Sequence, residues 1–271
     1  MRWAEAFPEE ALAARSFIEK FRLCQDPVLA VSVKFKTVGE RAAWTLLGTC
    51  LFQDLGYSSF SRLFAAISKK FPGPKLWALP VPSRSELFET AKEALGPVEW
   101  SLLEFFPGIF WSTGLFVRNH APFEAYLPSR TEEELWRDLG EIYFMGKRAN
   151  RPKACAAIFR LLAPKPLGLG LSCKASAKRA PLPLTMGARR FISFLGPLQG
   201  GEFKVMPEGG KQKFAGEFFR HLSPAEPELA AHSLQFFLEF GKKGYVCRDF
   251  LGSCGECPLS KLCPETEAGE L

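Results

Sequence analysis

The chain has no run of about eighteen apolar residues, the length a helix needs to cross a bilayer, so a membrane span is not expected. An apolar leader is missing too. The opening Met-Arg-Trp-Ala-Glu-Ala-Phe-Pro-Glu-Glu is broken by acids and does not read as a signal peptide. Together these absences suggest a reducing cytoplasm, where clustered cysteines mean metal rather than disulfides. Period-2 alternation is scarce, residues 28–35 being the best strand candidate and a weak one. Histidine is rare. His120, His221 and His232 have no ligand spacing and read as structural. Tyrosine is sparse (4) beside phenylalanine (26), which assigns most aromatic mass to a core. Against these absences, 271 residues with 47% apolar and 24% charged composition are ordinary for a globular protein of one or two domains. A net charge of +6 permits a polyanionic partner without requiring one.

Helical periodicity dominates what is present. Ala43, Leu46, Leu47, Cys50 and Leu51 repeat on one face within residues 40–54. Thr131 followed by three glutamates predicts a helix start, with Glu134 closing a capping box. Cys155, Ile158, Phe159 and Leu162 line a helix opening at Pro152. Ala188, Phe191 and Leu195 mark another, and Ala230, Leu234, Phe237, Leu238 and Gly241 a last long one. Residues 163–184, rich in Pro, Gly, Ser and basic residues, read as a linker or long loop, and 197–212 as a second connection. The class is all-α.

Beyond that last helix stand Cys247, Cys254, Cys257 and Cys263, separated by six, two and five residues. Four thiolates within seventeen residues can converge on one centre, and soft sulfur ligands select zinc or an iron–sulfur cluster. Structural zinc sites bring two Cys-x-x-Cys knuckles, whereas only Cys254 and Cys257 form one. A wide first gap with a single tight pair suits a loop around a [4Fe–4S] cubane; zinc, or free or disulfide-bonded thiols, are the alternatives. Cys24, Cys50, Cys155 and Cys173 are scattered, and Cys50 and Cys155 read as small core residues.

The order of these features resembles the endonuclease III-like DNA glycosylases, helix-hairpin-helix proteins with a C-terminal cluster. The cysteine spacing is similar to that family's cluster loop, and residues 240–247, Phe-Gly-Lys-Lys-Gly-Tyr-Val-Cys, to the helix that enters it. Residues 48–54, Gly-Thr-Cys-Leu-Phe-Gln-Asp, resemble its early helix ending in a glutamine, here Gln53. Residues 114–121, Gly-Leu-Phe-Val-Arg-Asn-His-Ala, are similar to its Gly-Phe-x-Arg-Asn-x-Ala segment, and residues 128–135 to its proline-led, glutamate-rich entry to the hairpin. The correspondence covers roughly residues 38–264, tight in the cluster and loose elsewhere. It implies a two-domain helix-hairpin-helix DNA glycosylase fold. A six-helix barrel domain would span 37–164, and a discontinuous helical domain 1–36 and 165–271, with the iron–sulfur cluster loop at 247–263.

The family's hairpin binds a DNA phosphate through backbone amides. At its place stand Gly146, Lys147, Arg148, Ala149, Asn150, Arg151, Pro152 and Lys153, of which only Gly146 matches the usual glycine pair. The turn is longer, but its four cations come without an acid and would grip phosphate by charge. Lys242, Lys243, Arg248 and Lys261 give the cluster end a basic edge, and Gln53 could enter the base stack. The resemblance thus implies double-stranded, damaged DNA as partner, no membrane, a monomer, and a cytoplasmic location, nucleoid-associated if the source is bacterial or archaeal.

Excising a base requires a flipped nucleotide and a cationic sugar, stabilised by a carboxylate or attacked by an amine. Lys153 aligns with the family's nucleophilic lysine. The family's aspartate has no counterpart: residues 184–196 resemble the segment that carries it, Thr185 stands in its position, and no Asp occurs between Asp138 and Asp249. A threonine cannot supply the charge that the transition state needs. Glu141 and Glu202 are the weak substitutes. The expected function is therefore cleavage of a damaged-base N-glycosidic bond or an abasic site, with Lys153 as nucleophile. The alternative is a non-catalytic DNA-binding relative. An electron carrier is disfavoured, because ferredoxins embed clusters in short chains.

Overall fold

The computed structural model describes residues 7–52, 55–145, 152–174, 182–195 and 202–237, with Leu259 and Leu262. Those residues are helical, without a strand among them. The chain divides into two compact units, Gln25–Pro181 and a discontinuous one of Met1–Cys24 with Leu182–Leu271.

The unit Gln25–Pro181 is built around α3 (Val38–Leu51), where Trp44, Leu46, Leu47, Cys50 and Leu51 are all fully buried. Thr37 and Glu40 form a reciprocal capping box that starts this helix. Around it lie α2 (Pro27–Ser32), α4 (Tyr57–Lys70), α5 (Arg84–Leu95), α6 (Phe106–Asn119), α7 (Phe123–Ser129), α8 (Glu132–Asp138) and α9 (Pro152–Leu162). The box read from Thr131 and Glu134 is present at the start of α8, and a third, from Ser83 and Glu86, opens α5.

One local expectation is corrected here and another is made definite. Residues 28–35 are no strand, since Pro27–Ser32 is α2. Asp26 accepts hydrogen bonds from the amides of Val28 (2.8 Å) and Leu29 (3.2 Å), and Pro27 presets the first helical φ. Val28, Leu29 and Val31 are then buried in the core around α3, which overrides their β-branched preference. Of the two readings of residues 163–184, linker or long loop, the described part 163–174 is a long loop, and it is pinned to its unit. The amides of Leu169, Gly170 and Leu171 donate to the carbonyls of Arg160, Ala163 and Leu161 at the end of α9, at 2.8–3.0 Å. Leu167, Leu169 and Cys173 are buried as a result. This compact unit, Gln25–Pro181, is wider than residues 37–164, because α2 and the returning loop bury their apolar side chains in its core.

In the other unit, α1 (Pro8–Phe21), α10 (Met186–Leu195), α11 (Glu202–Val205), α12 (Glu208–Leu222) and α13 (Pro227–Leu234) enclose a phenylalanine core. Phe237 packs edge-on against Phe17 and Phe191, with centroids 5.7 and 5.2 Å apart. Ser233 donates to the Ile18 carbonyl (3.1 Å), and His232 pairs through Nε2 with the Cys24 carbonyl (2.8 Å), the structural role read for it. Of the last long helix, Leu238 and Gly241 lie outside the described residues. The α-helix ends at Leu234 and passes into a 3-10 turn over Gln235–Phe237. The stretch 197–212 is not wholly a connection either, as α11 and the first residues of α12 lie within it.

Candidate functional site

Ahead of the basic stretch 147–153 runs a short 3-10 turn, Leu139–Glu141, followed by Ile142, Tyr143, Phe144 and Met145. Ile142 and Met145 are anchored in the core, and the Tyr143 amide donates to Ser112 Oγ on α6 (3.0 Å). Between these anchors Phe144 takes a left-handed backbone conformation with φ 67°, costly for a bulky side chain at about 1–3 kcal/mol. Its ring lies 5.3 Å from Phe105 and 4.7 Å from Tyr143, and the Lys153 ammonium sits 5.1 Å above it. Lys153 is the second residue of α9 and half-buried. This cation over a ring contributes roughly 0.5–1 kcal/mol of attraction and holds Lys153 beside Phe144.

The carboxylate proposed as a substitute faces a different partner. Glu141 is exposed, and its Oε2 lies 3.6 Å from Nε2 of His120. That His120 nitrogen is shielded from solvent without a hydrogen-bond partner, its ring packed against Phe116 (4.6 Å) and Tyr126 (4.3 Å). Behind it the Tyr126 hydroxyl donates to Asp138 Oδ2 (2.9 Å), and Arg130 and Arg137 reach the same carboxylate. Burial, then the bond to Asp138, raise the Tyr126 phenol well above its ordinary range, so it stays a neutral donor.

Thr185 belongs to the other unit. It precedes α10, and its Oγ1 accepts a hydrogen bond from the Ala188 amide (3.2 Å), making it the N-cap. Thr185 thus starts α10, with its side-chain oxygen engaged as a cap. One turn on, Arg189 grips Glu208 bidentately, Lys211 adding a third contact at 3.0 Å. Hydrogen bonds from Arg189, with lesser help from Lys211, hold the Glu208 carboxyl down at about 2. Gly187 is where α10 meets the chain after α13, as a Cβ there would lie 2.3 Å from the Gln235 carbonyl oxygen.

Gln53, Gly146, Lys147, Arg148, Arg151, Lys242, Lys243, Arg248 and the four cysteines Cys247, Cys254, Cys257 and Cys263 lie outside the described residues. Of Glu202 only its place at the start of α11 is described. No group of three or more His, Cys, Asp or Glu among the described residues could hold a metal ion. None of the described helices is long and apolar enough to cross a membrane.

Cys50 and Cys155 are core thiols, as their helix faces predict. Burial pushes each up to about 12, the Lys153 charge opposing this slightly at Cys50. Alkylation of either at pH about 8 should run roughly three orders of magnitude slower in the native protein than in the unfolded chain. Mass-spectrometric labelling with iodoacetamide, with and without denaturant, measures this; comparable rates would contradict the buried placement.

Sequence reasoning missed two features of this unit. One is the ring cluster around Phe144, which only a positive φ brings together. The other is a cavity of about 520 Å³ beside the first turn of α3, lined by Val33, Val38, Arg41, Lys165, Leu169 and Leu171. Their separation along the chain hides it from any local pattern. Comparison with family models, with curated proteins and with solved structures gave no match.

Proposed function

We propose that this chain is a DNA-binding iron–sulfur protein of the base-excision-repair type that acts on abasic or damaged sites through Lys153. The observation that carries the reading is the six-two-five spacing of Cys247, Cys254, Cys257 and Cys263. The donor set fits a [4Fe–4S] cluster in number and softness, and the remaining cysteines do not compete. Cys50, Cys155 and Cys173 are buried, and no described group of side chains could hold a metal. When bound, the cluster would cross-link a loop too short to build a core of its own.

The chemistry rests on the amine of Lys153, supported by its place in the first turn of α9 beside the hairpin aromatics. An abasic sugar in its ring-opened form is an aldehyde. The Lys153 ammonium gives up a proton to water, the neutral amine adds to C1′, water leaves and an imine forms; loss of a C2′ proton to water then expels the 3′ phosphate by elimination. This substrate needs no carboxylate, which suits a chain whose Thr185 oxygen caps α10 and whose Glu141 faces His120. Glycosidic cleavage of a damaged base asks for more, because the oxocarbenium-like sugar lacks its counter-charge.

Those two placements also support a second reading, a DNA-binding relative without catalysis. An abasic duplex with borohydride separates the two. Hydride reduces the imine to a stable amine, so the wild type should give a covalent adduct that Lys153→Ala loses. Binding without an adduct would favour the non-catalytic reading. Absence of binding at low salt would sink both, since a basic DNA-binding chain must show affinity that falls steeply with log salt.

A further inference from the structure

We propose that the cavity beside the first turn of α3 binds a small amphipathic anion, an unbranched aliphatic carboxylate. Its residues take no part in the DNA chemistry proposed above, so either reading can fail without the other. The volume, about 520 Å³, falls within the roughly 300–1,000 Å³ of small-molecule sites. Every residue that lines it belongs to the unit Gln25–Pro181.

The walls come from separate stretches of chain that are fixed to one another. Leu29 and Val33 stand on α2 and its C-terminal end, Val38 and Arg41 on the first turn of α3, and Leu169 and Leu171 on the loop that returns onto α9. Amide bonds from Leu169 and Leu171 to the Arg160 and Leu161 carbonyls hold that loop. Arg160 in turn is paired with Asp26, the N-cap of α2, which ties α9 to the facing wall. Leu29 and Leu169 are buried, whereas Val33 and Val38 are 42% and 43% exposed. The two valines leave apolar surface that an alkyl tail would cover.

The charge around the cavity has one sign. Arg41 and Lys165 line it, and no acid does. The Arg41 guanidinium is held in place by neutral acceptors: Nε donates to the Phe35 carbonyl (2.8 Å) and Nη2 to the Lys36 carbonyl (3.5 Å). These use two of its five N–H donors and leave its charge unopposed by a carboxylate among the described residues. Glu40, its neighbour in sequence, accepts instead from the amides of Lys36 and Thr37. Val38 and Arg41 share a helix face from which Gly39 and Glu40 turn away, and the Glu124 carboxylate meets α3 at Gly39. Lys165 is exposed, its stem passing Gly170, where an added Cβ would lie 3.8 Å from the Lys165 Cγ. Lys34 and Lys36, exposed on the chain between Val33 and Val38, add to the positive field.

Cations without an acid select an anion, and aliphatic walls select an alkyl tail. No aromatic side chain lines the cavity to stack on a base, which argues against a nucleotide.

The test titrates the full chain calorimetrically with unbranched carboxylates from butanoate to octanoate, with octanol and with inorganic phosphate. Affinity should rise by up to about fourfold per added methylene. Octanol lacks the charge and phosphate the tail, so each should bind at least about tenfold more weakly than octanoate. Lys165→Gln should lose about tenfold for octanoate, and Val38→Trp, which fills the cavity from an exposed position, should abolish its binding. Circular dichroism checks that both variants fold; Lys165→Gln, at an exposed loop position, decides alone if Val38→Trp does not. Octanol or phosphate binding as tightly as octanoate would overturn the site, as would octanoate affinity unchanged in either folded variant. No octanoate binding at millimolar concentration would do the same. Each of these outcomes leaves the borohydride result on abasic DNA untouched.

Discussion

Asp26→Ala is expected to lower the unfolding free energy by about 3–5 kcal/mol, the cost of leaving one partner of a buried ion pair alone. Asp26 and Arg160 lie 134 positions apart in sequence, with side chains only 3% and 6% exposed. Arg160 Nη2 meets Asp26 Oδ2 at 2.9 Å, its Nε reaches both carboxylate oxygens at 3.0 and 3.2 Å, and Nη1 bonds Thr49 Oγ1 at 3.4 Å. The same carboxylate caps α2 through two amides, so its removal strands a guanidinium and opens a helix end at once. Such a pair need not be worth much against an apolar substitute. Asp26→Leu combined with Arg160→Met should therefore cost clearly less than Asp26→Ala alone. Urea unfolding of the three proteins measures this. A loss under about 1 kcal/mol for the single variant would show that water already reaches the pair.

Gly114→Ala is the second large effect, expected to destabilise by about 1–3 kcal/mol or more. A Cβ built at this position would stand 2.0 Å from the Leu76 carbonyl oxygen and 3.5 Å from the Trp77 Cα. Both neighbours are backbone, so no rotamer change can make room. Helix α6 would have to withdraw from the 3-10 turn Gly73–Leu76, disturbing Phe110 and Phe71, whose rings pack edge-on at 5.6 Å. Alanine is otherwise the better helix former by about 1 kcal/mol, so the predicted sign opposes intrinsic propensity. Thermal unfolding compared with Gly96→Ala separates close packing from conformation. Gly96 has φ 62° but nothing within 4 Å of an added Cβ, so its cost is backbone strain alone. If Gly114→Ala proved neutral, the close approach of α6 to Leu76 would be wrong.

Gly114 also illustrates what a single sequence can and cannot reveal. It opens the stretch that resembles a glycosylase segment, yet the reason for a glycine there is a carbonyl 38 positions away. Helix existence was legible, because periodicity and caps are local: the Thr131–Glu134 box and the buried faces of α3, α9 and α10 fall where the spacing puts them. The short β-branched run at 28–35 misled for the complementary reason. Its fate depends on Asp26 and on burial against α3, neither visible in residue preference.

Among site residues the division is similar. Lys153 in the first turn of a helix and Thr185 just before one follow from short-range signals and hold in the fold. The partner of Glu141 does not follow from them. His120 lies 21 positions earlier, and only the packing of α6, α7 and the turn after α8 brings the two side chains to 3.6 Å.

Residue spacing alone thus pointed to the helical class of the described residues, to the helix starts at Thr131 and Pro152, and to four cysteines close together in sequence, because each depends on neighbours within a turn or a loop. Tertiary packing decided the rest: the Asp26–Arg160 pair, the return of residues 163–174 onto α9, and the ring cluster at Phe144. The first joins residues 134 positions apart, the last brings Phe105 to Phe144 across 39, and the loop folds back over seven to ten. The free energy that selects such contacts comes from burial and from pairing in a desolvated interior, which no local pattern encodes.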